Sequence, residues 1–224
     1  MLRDPAPAVH ALLRVADLDA LVWDAGRPDW APQALHRAPW TVVRRSAPRL
    51  SQWPVGVRGG VRSQRVAAWL PDRAVQECIT PQMLAAKRAW RQRPSIATTP
   101  AAAVLDEVTA ILAAHGHAGR WGPGGSVGFE LASGVPSTTS NSDLDLVLSA
   151  DEPMAQTDAT RLHADLSKLP VRIDLLLETP HGAVMLAEYA TSTGVTLLRC
   201  ARGPRLVCDP WRAHSAADIA ACMA

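Results

Sequence analysis

The sequence predicts an α/β (α+β) protein, in which helices pack on a mixed sheet, from three patterns in its second half. Thr99 and Pro100 open a segment whose apolar residues recur at helical spacing. Residues 143–149, DLDLVLS, alternate in polarity as a half-buried strand does. Residues 169–180, LPVRIDLLLETP, contain a second apolar run of strand length. Helix and strand signals together favour the mixed architecture.

The helix that opens at Thr99 is predicted to end at Gly116, since Thr is a favoured N-cap residue and Gly a favoured stop. Its apolar residues form one face that can lie on a sheet. Residues 118–134, AGRWGPGGSVGFELASG, predict a short extended stretch and then a brief helix that ends at Gly134. The apolar helix positions are Val104, Leu105, Val108, Ile111 and Leu112.

The two halves of the chain differ in charge, which predicts two domains. Residues 1–95 hold 15 Lys and Arg against 7 Asp and Glu, a net charge of +8, whereas residues 96–224 hold 8 against 14, a net charge of −6. Six of the eight tryptophans lie in the first half, and the polar, Pro-bearing segment 91–100 is typical of a linker. We therefore expect a smaller, basic, Trp-rich domain over 1–95 and a second domain over 96–224.

Composition excludes several classes of protein. The longest apolar runs are interrupted well short of the roughly 20 residues that span a membrane, and the start MLRDPAPAVH lacks a signal-peptide core. Cys78, Cys200, Cys208 and Cys222 show no C-x-x-C pairing, so we expect reduced thiols and neither a zinc site nor a disulfide framework. The small net charge and scattered tryptophans argue against nucleic acid as a partner. We expect a cytoplasmic protein that binds no membrane.

Asp143 and Asp145 are the first candidate site residues. Residues i and i+2 of a strand share a face and lie about 6.5 to 7 Å apart, so both carboxylates point the same way. Carboxylates this close repel each other unless a cation lies between them, which favours a divalent metal site. An edge strand with a solvated polar face is the alternative interpretation.

Two further features favour the metal interpretation. Asp174 lies within the apolar run of residues 171–177, where a lone carboxylate is costly unless it has a partner. The turn at Gly124, Gly125 and Ser126 offers backbone N–H groups at a helix start to a phosphate. A Gly-Ser turn, a D-x-D strand and a third Asp on a later strand resemble, in that order, the nucleotidyltransferase superfamily, which implies a nucleotidyltransferase-like mixed sheet.

Longer segments resemble one family within that superfamily, the phosphoribosyl-dephospho-CoA transferases of malonate decarboxylase, also called its holo-acyl-carrier-protein synthases. The segments lie in both halves of the chain, and the 17-residue step from Ser126 to Asp143 agrees with an inserted turn of this family. They are PVGVRGGVRSQRVAAWL, GGSVGFELASG, SDLDLVLS, RIDLLLETPHGAVMLAEYA and GPRLVCDPW.

The resemblance implies a reaction. A serine hydroxyl of an acyl carrier subunit attacks the triphosphate of 2'-(5''-triphosphoribosyl)-3'-dephospho-CoA and pyrophosphate leaves. It implies two Mg²⁺ ions held by Asp143, Asp145 and Asp174, no organic cofactor, and a leaving phosphate gripped by Gly125 and Ser126. One departure from the superfamily is that Gly122 to Gly124, ahead of the Gly-Ser turn, are poor strand formers. The strand there is expected to be short or bulged.

The first half contains a run of arginines without acidic residues from Trp30 to Pro71. The planar guanidinium of Arg can form two hydrogen bonds with a phosphate, so the run predicts contacts with the donor's phosphates or with an acidic carrier protein. Arg58 and Arg62 are the residues that we predict to contact the donor. The alternative is a domain interface in which these arginines pair with the acidic half. The run comprises Arg37, Arg44, Arg45, Arg49, Arg58, Arg62 and Arg65.

Two other functions stay open at this point. A generic nucleotidyltransferase would move a nucleoside monophosphate from an ordinary NTP. A non-catalytic module would only bind the carrier protein, although three clustered carboxylates are of no use to a scaffold.

Overall fold

The computed structural model describes residues 7–47, 49–61, 63–93, 96 and 99–213. Over these residues the chain forms two six-stranded sheets and seven α-helices. The α+β fold class is therefore confirmed. None of the helices in this part of the chain is long and apolar enough to cross a membrane.

The first sheet is antiparallel throughout, with strand order β2-β5-β4-β3-β1-β6. Its strands are rich in Val, Leu and Trp, which suit a pleated and half-buried surface. Its elements are β1 (Leu12–Val15), β2 (Val22–Trp23), α1 (Ala31–Arg37), β3 (Trp40–Val43), β4 (Gln52–Arg58), β5 (Arg65–Pro71) and β6 (Val75–Ile79).

The second sheet is mixed, with strand order β12-β11-β10-β9-β8-β7. Its strands and the helices around them are α2 (Pro81–Ala86), α3 (Pro100–Ala103), α4 (Leu105–Ala114), β7 (Trp121–Pro123), α5 (Gly125–Ser133), β8 (Leu144–Ser149), α6 (Gln156–Leu166), β9 (Ile173–Thr179), β10 (Gly182–Met185), α7 (Leu186–Thr191), β11 (Thr196–Cys200) and β12 (Gly203–Val207).

Strands β8 and β9 are parallel, whereas the other described pairs of this sheet are antiparallel. Parallel neighbours need a crossover, and α6 supplies it. One face of α6 is buried through Ala159, Leu162 and Leu166. The crossover aligns the beginnings of β8 and β9, where two of the predicted site residues lie.

The predicted helices are present, with one break. The helix expected from Thr99 is interrupted at Val104, whose φ of −88° and ψ of 0° are not helical, so α3 and α4 follow each other. Beyond α4, Gly116 has a φ of +78°. Helix α5 ends as predicted at Gly134, which has a φ of +75°. Glycine is favoured at both positions because it tolerates the left-handed conformation.

The poor strand formers before the Gly-Ser turn make a short edge strand. Strand β7 has three residues and pairs only with β8 among the described strands. Proline is tolerated on an edge strand, which explains Pro123. The backbone of α2 covers this edge so closely that a Cβ on Gly122 would lie 1.8 Å from the carbonyl oxygen of Pro81. The strand is short, as expected, and α2 covers the edge that does not pair with β8.

One large core joins elements of both halves. Leu12 and Trp40 of the first sheet pack with Leu84, Trp90 and the apolar side chains of the second sheet. A second, smaller core lies within the first sheet. Most tryptophans are buried, as expected for core residues. The domain boundary near residue 95 stays a prediction.

The cysteine prediction is corrected at one position. Cys78 and Cys200 are thiols outside any disulfide, as expected, but Cys208 is disulfide-bonded. Cys222 lies outside the described residues. A search for C-x-x-C spacing could not detect this bond, because a disulfide depends on the distance between two Cα atoms in the fold and not on that motif.

Candidate active site

A cavity of about 590 Å³ lies between the two sheets. The first sheet contributes β4, β5 and the end of β3, and the second contributes β8, β9 and the start of α5. The two walls differ in charge, because the basic side chains belong to the first half and the carboxylates to the second. The ionisable lining residues are His10, Arg44, Arg58, Arg65, Asp145 and Asp174.

Asp145 and Asp174 occupy paired positions in the register of β8 and β9. Paired residues of neighbouring strands lie about 4.8 Å apart and point to the same face, so both carboxylates enter the cavity side by side. Asp174 also accepts a hydrogen bond from Nε of Arg172 at 3.2 Å, while 28% of its side chain stays exposed. The arrangement presents two hard oxygen donors at one end of the cavity.

Asp143 lies one residue before β8 and is not among the residues that line the cavity. Within the described part of the chain, no three His, Cys, Asp or Glu side chains are grouped closely enough to hold a metal ion by themselves. Two carboxylates completed by phosphate oxygens of a substrate are, however, the usual environment of Mg²⁺. Asp145 and Asp174 fit such an ion, and the three-aspartate set stays a prediction.

The Gly-Ser turn faces the same end of the cavity. Gly124 donates its N–H to the carbonyl oxygen of Asp145 at 2.8 Å, which fixes the turn to β8. Gly125 has a φ of +52°, and a Cβ there would lie 1.8 Å from Oδ2 of Asp145. Ser126 follows in the first turn of α5. The carboxylate of Asp145 therefore lies directly against the start of this helix, whose N–H groups and positive dipole end favour anions.

Arg58 reaches this end of the cavity from the other sheet. Its Nη2 donates to the carbonyl oxygen of Ser137 at 3.4 Å, and its guanidinium lies 5.7 Å from the ring centroid of Phe129. Burial lowers the pKa of Arg58, Arg65 lowers it further, and Asp145 opposes both effects. A half-buried cation beside another cation is suited to bind an anionic ligand.

The strand register places a second arginine, Arg65, next to Arg58. Arg58 and Arg65 are directly opposite each other on β4 and β5. Like charges at opposite positions repel, so this pair is a local cost of the sheet. Arg62, the second predicted donor contact, lies outside the described residues.

A partly buried ion cluster lies next to the other end of the cavity, where His10 is part of the lining. Glu178 of β9 accepts hydrogen bonds from Nη2 of Arg45 and pairs with Nε2 of His10 at 3.0 Å. Burial alone would raise the pKa of Glu178, but its hydrogen bonds with His10 and Arg45 hold the pKa below its usual value. The alternative interpretation of the arginine run thus applies to Arg45, which joins the two halves.

Three cavity residues were not among the predicted donor contacts. Arg44 and Arg65 belong to the basic run, and the strand period that places Arg44 with Val42 and Arg65 with Ala67 could have indicated them. His10 gave no signal, since it is an isolated residue near the chain start. Its φ of +69° is unusual for a residue other than glycine.

Two sequence comparisons cover most of the chain. Residues 8–81 match the family model of the phosphoribosyl-dephospho-CoA transferase MdcG N-terminal domain, and residues 84–210 match that of the MdcG C-terminal domain. No solved structure matches the chain significantly.

Curated relatives carry the same description, phosphoribosyl-dephospho-CoA transferase. A protein of Azotobacter vinelandii is 39% identical over 92% of this chain and 95% of its own length. One of Pseudomonas putida is 40% identical over 92% of this chain and 96% of its own. One of Klebsiella pneumoniae is 34% identical over 92% of this chain and 96% of its own length.

Proposed function

This chain belongs to the phosphoribosyl-dephospho-CoA transferase family, and we propose that it completes the acyl carrier subunit of malonate decarboxylase. The donor is 2'-(5''-triphosphoribosyl)-3'-dephospho-CoA. A serine hydroxyl of the apo carrier attacks the phosphorus next to the ribose, a phosphodiester forms, and the bond to the outer two phosphates breaks. Pyrophosphate leaves, and the serine proton passes to a base or to solvent.

The observation that carries this proposal is the convergence at one end of the cavity. Asp145 and Asp174 come from the second sheet, Arg58 and Arg65 come from the first, and Gly125 opens α5 between them. In-line phosphoryl transfer needs positioning and charge neutralisation more than covalent help from the protein. Cations opposite a carboxylate pair meet both requirements for a triphosphate.

We propose that Asp145 and Asp174, with Asp143 just ahead of β8, hold two Mg²⁺ ions. Bound Mg²⁺ would neutralise phosphate charge and lower the pKa of the attacking hydroxyl. Gly125 and Ser126 would bind the leaving phosphates through the backbone at the start of α5. Arg58 would bind the same group from the facing sheet, and Arg62, four residues later in the sequence, is proposed as the second donor contact.

The proposal also covers the roles of the two domains and the cellular compartment. The second domain, residues 96–224, is nucleotidyltransferase-like, since its β8-α6-β9 unit carries the carboxylate pair. The basic domain, residues 1–95, binds the donor, the carrier protein or both. We propose that the reaction takes place in the cytoplasm.

Intact-mass spectrometry of the carrier subunit tests the proposal. The apo carrier is incubated with this protein, Mg²⁺ and the triphosphoribosyl donor, and a parallel sample contains ATP in place of the donor. A mass gain equal to the phosphoribosyl-dephospho-CoA group, abolished by a chelator and restored by added Mg²⁺, is expected. A gain of AMP in the ATP sample alone would instead identify a generic nucleotidyltransferase, and no gain in either would contradict transfer altogether.

A further inference from the structure

The cavity has two polar ends on opposite sides of an apolar middle. The transfer end contains Asp145, Asp174, Arg58 and Arg65, as described above. The far end contains His10 and Arg44. Between the two ends the lining is apolar or lacks a side chain. The residues of the middle are Val42, Gly56, Ala67, Val147, Leu176 and Met185.

The separation of the ends follows from the strands. On β9, Asp174 and Glu178 share a face four residues apart, which is about 13 Å. Asp174 lies at the transfer end, and Glu178 holds His10 at the far end. On the facing sheet, the N–H of Arg44 donates to the carbonyl oxygen of Pro54 at 2.7 Å. The backbone of Arg44 is thus level with Pro54, four residues from Arg58 on β4, and its side chain extends back over Gly56, two residues from Arg58.

Arg44 is a cation of the far end that forms no ion pair with the described residues. Its neighbour Arg45 is bound by Glu178, so that guanidinium is neutralised within the protein. Arg44 instead runs over Gly56, where its Cγ and Cδ lie 3.6 Å from the position of a Cβ, and its Nε donates to the carbonyl oxygen of Val55 at 3.0 Å. No described residue accepts a hydrogen bond from its two terminal nitrogens.

Arg44 also borders an outer groove of about 570 Å³, whose apolar wall includes Val43, Trp53 and Pro54. Arg44 therefore lines both the cavity and this groove.

We propose that Arg44, beside His10, forms a second anion subsite, which binds the diphosphate of the dephospho-CoA part of the donor. This inference rests on the proposed function, because it assigns the remainder of that donor. The donor carries phosphate groups at two places separated by two linked riboses, so one compact anion site cannot hold both. The apolar middle takes the sugar and base between them, and the pantetheine arm leaves through the outer groove. An ordinary NTP has no second phosphate group and leaves the far end empty.

Titration calorimetry with two half-ligands tests the two subsites separately. One ligand is 3'-dephospho-CoA and the other is tripolyphosphate, both with Mg²⁺. We expect Arg44→Ala to weaken dephospho-CoA binding about 10-fold or more and to change tripolyphosphate binding less than about 2-fold, because a hydrogen bond to a charged group is lost at one end only. Arg58→Ala should show the opposite pattern. Arg73→Ala, which removes an exposed arginine of the same half, should change neither.

Equal weakening of both ligands by Arg44→Ala, or no change in dephospho-CoA binding, would overturn the inference. Arg44→Gln removes the charge while keeping a donor for Val55, so it replaces Arg44→Ala if that variant unfolds. The carrier mass assay separates the two proposals. Transfer by the parent protein without the opposite binding patterns would contradict only the second subsite. The opposite patterns without transfer would contradict only the function.

Discussion

The carboxylate of Asp145 lies against the backbone of Gly125, at a position that no larger residue can share. A Cβ at residue 125 would lie 1.8 Å from Oδ2 and 2.6 Å from Cγ of Asp145. The glycine also has a φ of +52°, which costs other residues about 1 to 2 kcal/mol. The turn that we assign to the leaving phosphates and the carboxylate that we assign to the metal therefore share one space.

Gly125→Ala should abolish carrier modification, because its methyl group displaces Asp145 from the cavity. We expect a rate loss of about 100-fold or more together with a destabilisation of about 2 kcal/mol, measured by the mass assay and by thermal unfolding. The matched control is Gly124→Ala. A Cβ at residue 124 meets only ordinary contacts, the nearest being Val147 Cγ2 at 3.5 Å, so this variant should fold normally. A fully active Gly125→Ala protein would show that a methyl group at residue 125 does not displace the Asp145 carboxylate.

Replacing the aspartates with asparagine should separate activity from stability. Asp145→Asn and Asp174→Asn each remove one of two neighbouring like charges. The attraction of the exposed Asp145 to Arg58 and the partly exposed ion pair of Asp174 with Arg172 are each screened by solvent and worth little. We expect carrier modification to fall about 100-fold or more while the unfolding temperature stays the same or rises. Asp143→Asn tests the third predicted ligand in the same way. The exposed Asp151 provides the control Asp151→Asn, and a parental rate in Asp145→Asn would refute its metal role.

Local signals explain which elements the sequence predicts correctly. Strands β8 and β9 are visible in their apolar runs, and α5 is visible between its glycines, because period and turn chemistry are properties of neighbouring residues. The sequence predicts that Asp145 and Asp174 lie close together, but it does not predict that they occupy paired positions on neighbouring strands. The register of this pair depends on the α6 crossover, which no single segment encodes.

The far end of the cavity could not be predicted in this way. Glu178 contacts residues that precede it by 168 positions, in the case of His10, and by 133, in the case of Arg45. The charge difference between the halves correctly suggested that some arginines would meet acidic partners. The charge difference could not distinguish Arg45, which pairs with Glu178, from Arg44, which lines the cavity. The two residues are adjacent in sequence, and the packing of the sheets decides which of them meets an acidic partner.

Glu178→Gln should loosen the contact between the two halves in a pH-dependent way. The carboxylate is 19% exposed and bonded to Arg45 and His10, so its replacement should cost about 2 kcal/mol near neutral pH. The pKa of Glu178 is depressed in the folded protein, so this stability is present above the ordinary glutamate pKa of about 4.3 and is lost as pH falls through the folded value. The difference in unfolding temperature between parent and variant should therefore shrink as the pH falls below the ordinary glutamate pKa.

Thermal unfolding followed by circular dichroism at several pH values measures this difference. Glu152→Gln, at an exposed glutamate of the same half, should match the parent throughout. A difference that stayed constant from neutral to acid pH would show that the ion cluster does not carry the effect.

Arg65→Ala should stabilise the free protein and weaken its donor site at once. Arg65 is exposed and lies directly opposite Arg58, whose pKa it lowers, so its removal relieves repulsion worth about 0.5 kcal/mol. The same repulsion is offset when a triphosphate binds between the two cations, and we therefore expect a higher KM for the donor with a smaller change in kcat. Arg73→Ala removes an equal charge elsewhere in the first half and should alter neither quantity. A variant with lower stability and an unchanged KM would show that Arg65 supports the sheet and takes no part in binding the donor.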